Sequence, residues 1–159
     1  MKNTLLILLF LIIATTSCER DDICIDPITP KFVVRFYDID EPESFKTISQ
    51  LSVRVIEVEN DSLLFSGLDS IGIPLSVMNN STQYILTINS NLVDTKNIDT
   101  LTLNYDQEEV FVGRSCGFKS VFNNVTYQLN TDSDNWIKNI EIVTDTITNE
   151  TSAHVKIFH

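Results

Sequence analysis

DTLTLNY, residues 99–105, alternates polar and apolar side chains with a period of two from Thr100 onward. Leu101, Leu103 and Tyr105 face one way, and Thr100, Thr102 and Asn104 the other. In an extended chain successive side chains point to opposite sides, so such a stretch lays one face on a core and the other in water. A helix needs apolar residues three and four apart, and no segment beyond residue 30 sustains that spacing.

The period recurs outward in both directions. Phe32, Val34 and Phe36 alternate with Lys31, Val33 and Arg35, and Leu51, Val53 and Val55 with Ser52 and Arg54. Val125, Tyr127 and Leu129 repeat it, as do Ile140 with Ile142 and Val155 with Ile157. Between these runs lie DIDEPES (38–44), SGLDSIG (66–72), MNNST (78–82) and NTDSDN (130–135), all rich in turn-forming residues. Strands are expected near 31–37, 51–58, 73–77, 82–89, 99–105, 109–113, 119–129 and 136–144, with a terminal one at 153–158. The expectation is an all-β fold, an antiparallel β-sandwich of immunoglobulin-like type with about eight strands.

The 159 residues make one domain's worth of chain, with 22 acidic and 11 basic residues and a net charge of −11. That charge repels phosphate backbones, so no nucleic-acid partner is expected. Four glycines and four prolines leave no flexible linker, and no fixed-period repeat is visible.

The start of the chain carries an address. Lys2 precedes an apolar run from Leu5 to Ala14, too short for the roughly 20 residues that span a bilayer. It has the form of a secretory signal peptide. Thr15, Thr16, Ser17 and Cys18 follow, and small residues leading into a cysteine resemble a lipobox, whose thiol is acylated after cleavage just before it. Thr15 departs from the leucine of the commonest lipobox, and the polar form resembles that of Bacteroidetes lipoproteins. The rival is ordinary cleavage nearby, leaving Cys18 a plain thiol. The expected division is a signal peptide at 1–17, a lipidated cysteine and tether at 18–30, and a single β domain at 31–159. Removal of 1–17 takes away only Lys2, leaving 10 basic against 22 acidic residues, a net of −12.

Three cysteines in an exported chain leave an odd one. With Cys18 acylated, Cys24 and Cys116 remain to form a disulfide in a compartment that permits one. Parity alone also allows Cys18 in the bridge, and two buried free thiols are the other alternative. A bridge across about 90 residues is worth up to roughly 4–5 kcal/mol in the chain-entropy model. No CxxC spacing supports a metal site. Glu19, Arg20, Asp21 and Asp22 then follow the anchor, which in Bacteroidetes lipoproteins resembles a signal for display on the outer face of the outer membrane; the alternative is a solvated tether.

CERDDIC (18–24), KFVVRFYD (31–38), DTLTLNY (99–105) and CGF (116–118) resemble a family of small Bacteroidetes lipoproteins classed as a domain of unknown function. The resemblance implies lipidation at Cys18 and a compact β domain, and it implies no activity.

Candidate chemistry is sparse. Asp38, Asp40, Glu41 and Glu43 in YDIDEPE could gather calcium, with Asp38, Asp40 and Glu43 as weak ligands, but the turn lacks the spacing and central glycine of an EF-hand loop. A solvated turn is the better reading, so neither metal nor cofactor is expected. His154 falls out of phase with Val155 and Ile157, on the side of Lys156, and is expected to face solvent. His159 is the other histidine. No nucleophile elbow, zinc-protease helix, phosphate loop or dinucleotide fingerprint is present. Trp136 and the four tyrosines read as core or flank before ligand site.

Asp followed by Ser or Thr and an aliphatic residue occurs four times, at Ser62, Ser70, Thr100 and Thr146. The triplet resembles the O-glycosylation sequon of exported Bacteroidetes proteins. Ser62 and Ser70 are expected in turns and so most accessible. Taken together, the sequence points to a non-catalytic outer-membrane lipoprotein, facing periplasm or cell surface, with an envelope protein or glycan as partner. The alternatives are an envelope hydrolase acting on glycan or peptide, and a calcium-dependent adhesion or ligand-binding module.

Overall fold

Residue 24 and residues 28–58 and 61–159 are described by the computed structural model. Among them nine strands form: β1 (Phe32–Tyr37), β2 (Leu51–Val55), β3 (Leu63–Phe65), β4 (Ser70–Ile73), β5 (Ser81–Ile88), β6 (Asn97–Gly113), β7 (Gly117–Leu129), β8 (Asn139–Ile142) and β9 (Val155–Phe158). No helix occurs among the described residues. One sheet runs β4-β1-β9-β8 and the other β3-β2-β5-β6-β7.

The alternation read from the sequence decides which faces meet. β1 buries Phe32, Val34 and Phe36, while Val33, Arg35 and Tyr37 stay half-exposed. β6 buries Leu101, Leu103 and Tyr105, with Thr100, Thr102 and Asn104 between them. These side chains join one hydrophobic cluster with Ile71 and Ile73 of β4, Tyr84 and Leu86 of β5 and Ile157 of β9. Both sheets feed the same interior, so the architecture is a two-layered sandwich. Each buried Leu, Ile or Phe contributes about 1.5–3 kcal/mol relative to exposure.

Neighbouring strands run antiparallel except β1 and β9, which pair in parallel from Val34 opposite Val155 to Tyr37 opposite Phe158. The wholly antiparallel expectation is corrected there. Other boundaries differ for local reasons. β3 has only three residues, and its Leu63 and Leu64 are exposed, so it carries no alternation to read. The strand expected at 73–77 lies at Ser70–Ile73 instead; Pro74, without an N–H, ends the ladder. The strand expected at 136–144 narrows to Asn139–Ile142, because Ile137 gives its N–H to the Asp99 side chain rather than to a neighbouring strand.

The strands expected at 99–105 and 109–113 are one strand, β6, paired with β7 along a long hairpin. The register slips between Asn104 and Asp106, where Asn124 takes a φ of 54°. Asn tolerates this left-handed conformation better than most residues, and its amide donates to Asp106 at 2.8 Å. A bulge bends its strand and sharpens the local twist. Beyond it the hairpin leaves the core, and β6 is mostly exposed from Glu108 to Val112.

Candidate functional site

At the far end of this hairpin the chain turns through Arg114, Ser115 and Cys116, and Gly117 has a φ of 69°, which glycine adopts without strain. Cys116 is disulfide-bonded to Cys24, with their Cα atoms 5.0 Å apart. Ile28 also lies beside β7, as the Ser120 N–H donates to its carbonyl at 2.8 Å. The bridge therefore ties the start of the domain to the tip of its longest hairpin. Cys18 lies outside the described residues, as do Glu19, Arg20, Asp21 and Asp22.

Phe111 and Phe118 sit opposite one another near this tip, their rings edge to face at 5.4 Å. They are 58% and 60% exposed, with Val110 and Val112 also open to solvent beside them. Sequence reasoning placed the strand but missed the patch. Its signal was Val110–Val112, three consecutive apolar residues that no half-buried strand can hide together.

The acidic turn is engaged in its own folding. Asp38 accepts the Asp40 N–H at 2.9 Å and pairs with Lys46 at 3.3 Å. The Asp40 N–H, chiefly, holds the Asp38 carboxyl below its ordinary value, with Lys46 assisting. Asp40, Glu41 and Glu43 are exposed. Among the described residues no three His, Cys, Asp or Glu side chains are placed to share a metal ion.

His154 is buried, which corrects the expectation of a solvent-facing residue. Its Nδ1 accepts the Val33 N–H at 2.8 Å, and the ring stacks on Phe32 at 6.0 Å. It stands one residue before β9, where strand phase does not govern direction. Burial lowers its basicity, opposed by the Asn149 carbonyl and the charge of Glu150. His159 packs edge to face on Trp136 and Phe36. Burial, then the Lys46 charge, lowers it as well.

Among the described residues Asp99 is the buried carboxylate, 1% exposed. Its oxygens accept the Ile137 N–H at 2.8 Å and the Asn135 amide at 3.0 Å. Asn135 also donates to the Asn130 carbonyl, so the polar loop 130–135 is organised around this acid. Burial raises its pKa, and those hydrogen bonds oppose the shift. The phase of DTLTLNY held the clue, because Asp99 shares the face of Leu101.

The four Ser/Thr candidates divide by exposure. Ser62 is exposed just before β3, and Thr146 is exposed before Ile147. Ser70 lies within β4, not in a turn, and its hydroxyl donates to the Val34 carbonyl at 3.1 Å. Thr100 is half-buried within β6, opposite Ile85. Shallow grooves flank β2 and β3. Among the described residues, one, lined by Val53, Leu63, Pro74 and Tyr84, has Asp61 as its carboxylate. A second, lined by Leu51, Leu64, Phe65 and Ser90, has none among them. A third, beside Val55, Ser76 and Thr82, has Glu57.

Residues 52–159 match the model of a family described as "Family of unknown function (DUF6452)". The chain belongs to that family. The DUF6452 match takes in nearly all of β2 and the whole of β3 to β9, including DTLTLNY, the exposed hairpin and Cys116. Cys24 and β1 lie before it. No curated protein and no solved structure matches the chain.

Proposed function

We propose that this DUF6452 protein is a lipid-anchored module of the cell envelope, a β-sandwich without catalytic chemistry that serves another envelope component. The observation that carries the reading is the Cys24–Cys116 bridge. A disulfide suits an oxidising compartment, and it leaves Cys18, directly behind the Leu5–Ala14 run, as the cysteine available for acylation. The resemblance to Bacteroidetes lipoproteins favours diacylglycerol and palmitate-type chains on Cys18 and an outer-membrane address. Glu19, Asp21 and Asp22 favour outward display.

Among the described residues, the grooves flanking β2 and β3 are lined by at most one carboxylate each and no histidine. General acid–base hydrolysis of a glycan needs two carboxyl groups facing one substrate. Nine strands split four and five match the count of variable-type immunoglobulin domains, which supports an immunoglobulin-like sandwich; the order, with β1 beside β9, is the chain's own. Ser62 and Thr146 are the favoured O-glycan acceptors, being exposed.

Mass spectrometry of protein extracted from native membranes tests the anchor. The N-terminal peptide should begin at an acylated Cys18, and an unmodified Cys18 thiol would reject it. Proteolysis of intact cells then distinguishes outward from periplasmic display.

A further inference from the structure

Residues 110–131 hold Arg114 and Lys119 and no Asp or Glu, in a chain whose net charge is −11. Both cations flank the tip that carries Phe111 and Phe118. Glu108 and Glu109 come just before this stretch, towards the core. An apolar pair with cations beside it, and the hairpin's own acids set back, suits an interface of acyl chains and phosphate headgroups, although Glu19, Asp21 and Asp22 stand in sequence between the anchor and Cys24. The tether sets the distance. Five residues lie between Cys18 and Cys24, and the six residue steps from one to the other span at most about 22 Å. Cys24 is bonded to the tip itself.

We infer that the β6–β7 tip docks on the bilayer that holds the Cys18 acyl chains, seating Phe111 and Phe118 among them. This rests on the lipid-anchor reading. The disulfide acts as a positioning device, keeping the tip close to the membrane and turning the edge strand β3, across the same sheet from β7, away from it.

The test uses the full lipidated chain in phosphatidylcholine–phosphatidylglycerol vesicles, with and without bromine on the acyl chains. Phe118→Trp reports at the tip, Leu64→Trp reports on exposed β3, and buried Trp136 supplies the same background in both. Brominated vesicles should quench the tip reporter about twofold and leave the β3 reporter unchanged. Substituting Cys24→Ser together with Cys116→Ser should abolish that difference while the protein still floats with the vesicles. Flotation without tip quenching overturns the docking and leaves the anchor standing. Failure to float rejects the anchor, and the docking falls with it. A blue-shifted tip reporter that bromine does not quench means that a second copy or another protein covers the tip, which also overturns bilayer docking. Quenching unchanged in the double serine variant overturns the positioning role of the disulfide.

Discussion

Asp99 brings an acid into the interior, where its two oxygens satisfy two separate donors. Asn has one oxygen to offer where Asp has two, so Asp99→Asn sets an amide against either the Ile137 N–H or the Asn135 amide. The expected loss is about 1–3 kcal/mol, measured by denaturant unfolding. Because burial raises the folded pKa, ionised Asp99 detracts from stability, increasingly as pH climbs through that folded value; below the ordinary 3.8 the penalty is gone. His154 acts on the other limb. Its Nδ1 is an acceptor, so the folded ring is neutral and resists a proton. Unfolded histidine takes that proton near 6.5, and stability therefore falls as pH drops through 6.5 towards the lower folded value. Thermal melts across that window should show the decline. His154→Gln, which still offers an oxygen to Val33, should make it shallower, with His159 accounting for a remainder in the same direction. An unchanged slope would mean that His154 is not protected as its burial implies.

The β6–β7 hairpin is the element whose behaviour depends most on a covalent bond. Cys24 and Cys116 are 92 residues apart, and closing a loop of that size restrains the unfolded chain by up to about 4–5 kcal/mol in the entropy model. Reduction should lower the denaturant midpoint. It should also speed hydrogen exchange at Ser120, whose N–H is held by Ile28 next to the staple, more than at Leu103 in the core. Equal exchange before and after reduction at Ser120 would show that the segment stays on β7 without the bond. Much of this element was legible in the sequence. Leu101, Leu103 and Tyr105 fixed its core half, and Val125, Tyr127 and Leu129 the strand that returns beside it. Alternation of hydrophobicity reports only strands with one wet and one dry face. It therefore gave β6 past Glu108, where both faces are wet, only as a separate strand at 109–113, and it missed β3, which is short and exposed. It also misdirected His154, which stands just outside the pleat. The Cys24–Cys116 pair was among the pairings that counting allowed, whereas the aromatic patch depends on where the hairpin leaves the core, a long-range fact.

At the scale of the whole molecule the question is whether the two sheets are one cooperative unit. β1 and β9 bring chain segments more than a hundred residues apart into parallel register, so neither half of the sequence completes the first sheet alone. The two sheets share one interior, and a small void between them is lined by Val34, Phe36 and Ile157 from one side and Leu51, Leu86 and Leu101 from the other. Trp136 also lines it, donating its Nε1 hydrogen to the Leu86 carbonyl at 3.3 Å and packing on His159. Its fluorescence consequently reports the packing between layers, while far-ultraviolet circular dichroism reports the strands themselves. Two-state unfolding requires the signals to coincide. Leu101→Ala should shift both transitions together, by about 2–5 kcal/mol, because truncation enlarges a space that both sheets line. If the tryptophan signal were lost first while the strand signal persisted, the sheets would be separable layers. Stability would then reside in each sheet rather than in the contact between them.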